Sequence, residues 1–222
     1  MDGYYQVVVM TLVLGARCAD GVVIVGDRKI TATVGTVLGY EIKLGGIFRN
    51  ITFGYAGAVH IYKVFERYVA GDFIICRDLP DKYTSENILQ KIASTMSALL
   101  EARSNQSFDL TVLVGRQFPN NGKSDLHIVD FRGKVYPIVD CKTIGKGGSY
   151  ANPVIEHKWN RDMSMKEFAN LSYCLIKCIE NLEQAVGGEP WMRYQKDGEY
   201  LDTEPTHAEI EEFQESAKVF KI

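Results

Sequence analysis

Two apolar runs, TLVLGARC at 11–18 and VVIVGD at 22–27, flank an Asp20-Gly21 pair near the start of the chain. Branched apolar runs on either side of Asp-Gly read as a β-hairpin, because glycine supplies the backbone freedom that a tight turn needs. ITATVGTVLGY at 30–40 is rich in threonine and spaced by glycines, as a short strand pair or loop would be. ITFGYAG at 51–57 reads as another strand, running into glycine.

The period then changes. In 58–71, Val59, Tyr62, Phe65, Tyr68 and Val69 fall on one side of a helix. The loop at 78–81 precedes a second helix, capped by Thr84 or Ser85 and running to about Arg103, with Ile88, Ile92, Met96, Leu99 and Leu100 in phase. Strands return at 110–116, 126–130 and 135–140. After TIGKGGSYA (143–151) come two helical stretches. The clearer spans about Met165 to Val186, with Phe168, Leu171, Leu175, Ile179 and Leu182 in phase, and stops at Gly187-Gly188. A strand pair around Tyr194 and Tyr200 turns at Asp197-Gly198, and the tail from Thr206 closes as a helix. Grouped strands and grouped helices favour an α+β layered fold over a doubly wound sheet. With no repeat or linker, the reading is one domain over 11–222 behind a short extension, 1–10.

Composition excludes several functions. A net charge of −3 with scattered basic residues argues against a nucleic-acid partner. No segment approaches the roughly 20 apolar residues that span a bilayer. MDGYYQVVVM has no basic residue before its short apolar run, so it does not read as a secretory signal, and the expectation is a cytoplasmic protein. The five cysteines are loosely spaced. Cys174 and Cys178 could be half of a metal site, but no CxxC or histidine lies nearby, so they read as buried small residues in a reducing compartment, with no metal or cofactor.

Thr11 opens the first strand. Asp27, Lys43 and Gly57 follow it by 16, 32 and 46 positions. Taken singly, these are a strand threonine, two strand-end charges and a strand-end glycine. Together, in TLVLGARCADGVVIVGDRKIT, EIKLGG and FGYAGAVHIY, they resemble the start of a mature proteasome β subunit, an N-terminal-nucleophile hydrolase of the threonine peptidase type. A weaker match continues through GKGGSYA and the helix ending in VGG, as in a divergent archaeal or bacterial-like member.

The resemblance implies a four-layer α/β/β/α sandwich with two antiparallel sheets face to face. It implies peptide-bond hydrolysis through an acyl-enzyme ester on Thr11, whose free α-amino group would act as base once residues 1–10 are gone. Such an amine has a pKa of roughly 7.7–8.0, and a neighbouring ammonium lowers it. Lys43 would supply that charge, Asp27 would hold Lys43, and the Gly57 amide would face the oxyanion. Ile30, Glu41, Gly45, Tyr55 and Val59 match the family's substrate pocket. Partners by resemblance are like or related α- and β-type subunits in a ring, usually seven-membered, and unfolded polypeptide as substrate.

The chain also departs from the family. Lys146 and Val186 stand where active subunits carry serine, Glu183 replaces an aspartate, and Met10 replaces the glycine before the nucleophile. Lys146 would either enter the site as a second cation, countered by Glu183, or run out to solvent. Residues 1–10 would be lost by self-cleavage, or Met10 would be the start codon, trimmed by an aminopeptidase. Three readings stay open: an active threonine peptidase, a non-catalytic β-type subunit kept for assembly, and a homologue performing another acyl or amide transfer.

Overall fold

The computed structural model describes residues 11–31, 37–47, 51–57, 62–68, 85–102, 110–117, 122–199 and 202–221. The extension 1–10, Val59, Val69, the loop 78–81, Thr84 and Tyr200 lie outside them.

The Asp20-Gly21 hairpin forms as expected. β1 (Val13–Cys18) and β2 (Gly21–Gly26) pair antiparallel, Cys18 opposite Gly21 and Val13 opposite Gly26. Around this hairpin the first sheet is completed by β10 (Cys141–Ile144) on one side and by β11 (Trp191–Lys196) and β12 (Asp202–Thr203) on the other. The second sheet runs in order β5 (Leu44–Ile47), β6 (Ile51–Gly57), β7 (Leu110–Gln117), β8 (Ser124–Val129) and β9 (Val135–Ile138), each pair antiparallel. β3 (Lys29–Thr31) and β4 (Val37–Tyr40) make a separate two-stranded ribbon.

Strand alternation sorts the core into three layers. Leu12, Leu14, Val23, Val25, Met192 and Tyr194 face outward from the first sheet, against Phe168, Leu175, Ile176 and Ile179 of α4 (Met165–Ile179), Ala151 and Ile155 of α3 (Gly148–Lys158) and Phe213 of α5 (His207–Val219). The opposite faces of the two sheets meet through Val13, Val22, Ile24, Leu44, Leu113, Leu126 and Ile144. Beyond the second sheet, Phe53, Tyr55, Val112 and Val114 pack on Tyr62 and Phe65 of α1 (62–68) and on Ile92, Met96 and Leu99 of α2 (Ser85–Ala102). The result is the four-layer α/β/β/α sandwich. Each buried Val, Leu, Ile or Phe contributes about 1.5–3 kcal/mol, so three continuous apolar layers fix the stacking. Gly54 lets the sheets close, since a Cβ there would lie 2.7 Å from Val13 Cγ1.

Three expectations need correction. Tyr68, placed in phase with Tyr62 and Phe65, is 60% exposed. α4 ends at Ile179, and 180–186 follows as turns, with Leu182 and Glu183 amides both donating to the Ile179 carbonyl. Leu182 is in phase with the helix yet 58% exposed. Turning the chain there sends Val186 into the core and Gly187 towards Asp27, and tertiary contacts of that kind override a run of helical period. Third, 141–144 is a strand rather than part of a connection; it pairs with β1 from Val13–Ile144 to Ala16–Cys141. Among the described residues no helix is long and apolar enough to cross a membrane.

Candidate active site

Asp27 follows directly on β2 and Thr11 lies just before β1, so the hairpin register brings them together. Asp27 N–H donates to the Leu12 carbonyl at 3.0 Å, extending the ladder by one pair. The Asp27 side chain is fully buried and surrounded by donors. Its Oδ1 accepts the Thr11 hydroxyl, the Leu12 amide at 3.0 Å and the Lys43 ammonium at 2.7 Å. Its Oδ2 accepts the Lys29 amide at 3.2 Å and the Gly187 amide at 3.1 Å. A carboxylate offers about four lone-pair sites, so five donors saturate it.

Lys43 arrives from the start of the second sheet. Its carbonyl accepts the Tyr55 amide at 3.1 Å, which ties it to β6 two residues before Gly57. The side chain is fully buried, and its ammonium also donates to the Lys29 carbonyl at 2.6 Å. Burial pulls the Lys43 pKa below the ordinary 10.5, against the opposing charge and hydrogen bond of Asp27. Lys43 is thus bonded to Asp27 and linked to the Thr11 hydroxyl through the shared Oδ1, rather than by a hydrogen bond of its own.

The Thr11 carbonyl is clasped from the other side. The Gly147 amide donates to it at 3.2 Å. Gly145, at φ +89°, brings its backbone so close that a Cβ would sit 2.2 Å from that oxygen. This turn separates β10 from α3, so the strand missed in the sequence is what delivers it. Lys146, between the two glycines, is about half-exposed and reaches Glu183 at 3.8 Å. Glu183 Oε1 in turn accepts the Ala185 amide at 3.2 Å. Val186 is fully buried in the outer core and supplies no polar group. Gly57 ends β6 at φ +133°, in the region that favours glycine.

A model of the proteasome subunit family matches residues 10–189. The chain belongs to the proteasome subunit family. No curated protein sequence matches it. Among the solved structures that share its fold are two at TM-score 0.77 and 14% identity. One is a mutant of Anbu from Hyphomicrobium sp. strain MC1, covering 94% of this chain and 92% of that one. The other is Anbu, described as an ancestral beta-subunit, from Yersinia bercovieri, covering 93% and 92%.

This family member fills the region expected to be its substrate pocket with aromatic rings. Tyr55 is fully buried and stacks on Tyr62, with centroids 3.4 Å apart and planes 8° from parallel. A Cβ on Gly45 would lie 3.1 Å from the Tyr62 hydroxyl, which donates to Glu66. Glu41 is ion-paired with Lys63. Ile30 lies half-buried in the β3–β4 ribbon, opposite Gly39. Val59 lies outside the described residues. Sequence reasoning missed Lys29, Tyr62, Lys63 and the amides of Leu12, Gly147 and Gly187. Backbone donors leave no signature in side-chain identity; the only legible hint was glycine at 145, 147 and 187.

Proposed function

We propose that the protein is a threonine peptidase of the proteasome type, hydrolysing peptide bonds with Thr11 as nucleophile. The observation that carries this reading is the sharing of one buried carboxylate oxygen by the Thr11 hydroxyl and the Lys43 ammonium. Family membership supports the same reading, and supports assembly with like or related subunits in a ring, with unfolded polypeptide as substrate.

In the intact chain Thr11 nitrogen belongs to the Met10–Thr11 peptide bond and has no lone pair to accept a proton. Once that bond is cut, the α-amine takes the hydroxyl proton as Oγ1 attacks the substrate carbonyl. Lys43 disfavours protonation of the amine beforehand, and Asp27 holds both Lys43 and Thr11. The Gly57 amide serves the oxyanion. Collapse of the tetrahedral intermediate expels the leaving amine, which takes up the proton from the Thr11 ammonium. Water then hydrolyses the ester and restores Thr11.

A second reading, a non-catalytic subunit, is favoured by one observation: buried Val186 and half-exposed Lys146 remove two hydroxyls that the family keeps by the nucleophile. Fluorogenic peptides separate the two readings. The full chain, a chain beginning at Thr11 and the same chain with Thr11→Ala should be compared. Turnover confined to the second protein supports the peptidase. An inert Thr11-exposed protein that still forms rings supports the assembly role.

A further inference from the structure

Two glycines stand side by side at 187 and 188, at φ +150° and +80°, where local preference fixes the backbone least. Yet the backbone of Gly187 has to be aimed. Its amide donates to Asp27 Oδ2 at 3.1 Å, and its carbonyl accepts the Arg28 and Lys29 amides at 3.0 and 2.9 Å. Ahead of the glycine pair the chain is fixed by Val186, fully buried in the outer core. Behind the pair the first residue is Glu189, and there the anchor is polar. Glu189 Oε1 accepts the Tyr173 hydroxyl of α4 at 2.6 Å and the Gln214 side-chain amide of α5 at 3.1 Å. Tyr173 is itself buried, with its ring against Phe213. Burial, with the bond to Glu189, pushes its pKa up, so the hydroxyl remains a donor.

We infer that Glu189, held by Tyr173 and Gln214, is a positioning residue for the buried cluster: it fixes the far side of the glycine pair and so keeps the Gly187 amide on Asp27. The bond from Tyr173 goes to a carboxylate, the stronger class of hydrogen bond, and core packing holds its donor in place. Glu189 is exposed, so forming the clamp buries no charge. At the site the stake is the aim of the Asp27 carboxylate. Without Gly187, Oδ2 would keep the Lys29 amide, and the group would be freer to turn away from Thr11 and Lys43. The simpler role for Glu189 is a tie between α4 and α5. Those helices are already joined by Lys166 and Glu212 at 2.7 Å and by Asn170 and Ser216 at 3.3 Å, and neither link leads to Gly187. The inference does not rest on Thr11 being a nucleophile, and its test reads amide exchange, not turnover.

Hydrogen exchange of the full chain tests it, read by mass spectrometry on overlapping peptides that isolate the Gly187 amide. Glu189→Ala and Tyr173→Phe should each speed Gly187 exchange about tenfold, the loss of one hydrogen bond to a charged group, while the amides of the β1–β2 ladder keep their rates. Glu189→Gln retains an oxygen for both donors and should hold Gly187 at the rate of the unaltered chain. The Tyr173→Phe, Glu189→Ala double variant should exchange no faster than Glu189→Ala, because Tyr173 acts through Glu189. Lys166→Ala breaks a link between α4 and α5 alone and should leave Gly187 protected. An unchanged Gly187 in Glu189→Ala, no rescue by Glu189→Gln, or equal acceleration in Lys166→Ala or along the β1–β2 ladder would overturn the proposal.

Discussion

Replacing Asp27 by alanine tests the buried cluster most severely. The substitution leaves the fully buried Lys43 ammonium with only the Lys29 carbonyl. Breaking a buried ion pair from one side costs about 3–5 kcal/mol, because the remaining charge is uncompensated. The Leu12, Lys29 and Gly187 amides also lose their acceptor, and each orphaned buried donor adds about 1–3 kcal/mol, less than additively. Asp27→Ala should therefore destabilise by at least ~4 kcal/mol, a large share of the roughly 5–15 kcal/mol available to a domain. Lys43→Met is milder, because Asp27 keeps four of its five donors; about 2 kcal/mol is expected. In the double variant, Lys43→Met should return about 2 kcal/mol to Asp27→Ala, since the stranded charge is gone. Urea unfolding followed by circular dichroism measures all three. A loss below about 1 kcal/mol for Asp27→Ala, or no recovery in the double variant, would refute the claim that this pair is buried and mutually dependent.

Other outcomes follow from the same geometry. The folded chain releases the Lys43 proton below 10.5 and the unfolded chain near it, so between these pH values the unfolded state binds more protons. Stability should rise with pH across that window below 10.5, and Lys43→Met should remove the rise in pH-dependent urea titrations. Gly145→Ala combines φ +89° with a contact to the Thr11 carbonyl that a side chain cannot make; thermal melting should show a loss of about 1–3 kcal/mol. Thr206→Ala removes the side-chain half of the capping box that starts α5, costing about 1 kcal/mol in the same assay, with no effect at the Thr11 site.

The sequence carried much of the architecture because its elements announce themselves by period and punctuation. Asp20-Gly21 set the first hairpin, the alternating runs set both sheets, and Thr206 marked the last helix. Errors fell where local pattern and tertiary packing disagree. Leu182 continues the helical phase of α4, yet the chain turns at Ile179 so that Gly187 reaches Asp27. CKTI is too short and too mixed to declare itself, and only pairing with β1 makes it a strand. At the site, spacing and resemblance singled out Thr11, Asp27 and Lys43, which the fold brings together. What the sequence could not convey is that one oxygen of Asp27 is shared, since that depends on the angle at which Lys43 enters from the other sheet. Nor could it show Tyr62 stacked on Tyr55, because α1 and β6 meet only in the packed outer layer.

The most direct test of the central claim is the intact and fragment mass of a chain beginning at Thr11, after incubation with a peptidyl electrophile that traps hydroxyl nucleophiles. The account predicts a single adduct on the N-terminal threonine, absent from the full chain and from the Thr11→Ala chain. An adduct on another residue, or one that survives Thr11→Ala, would contradict it.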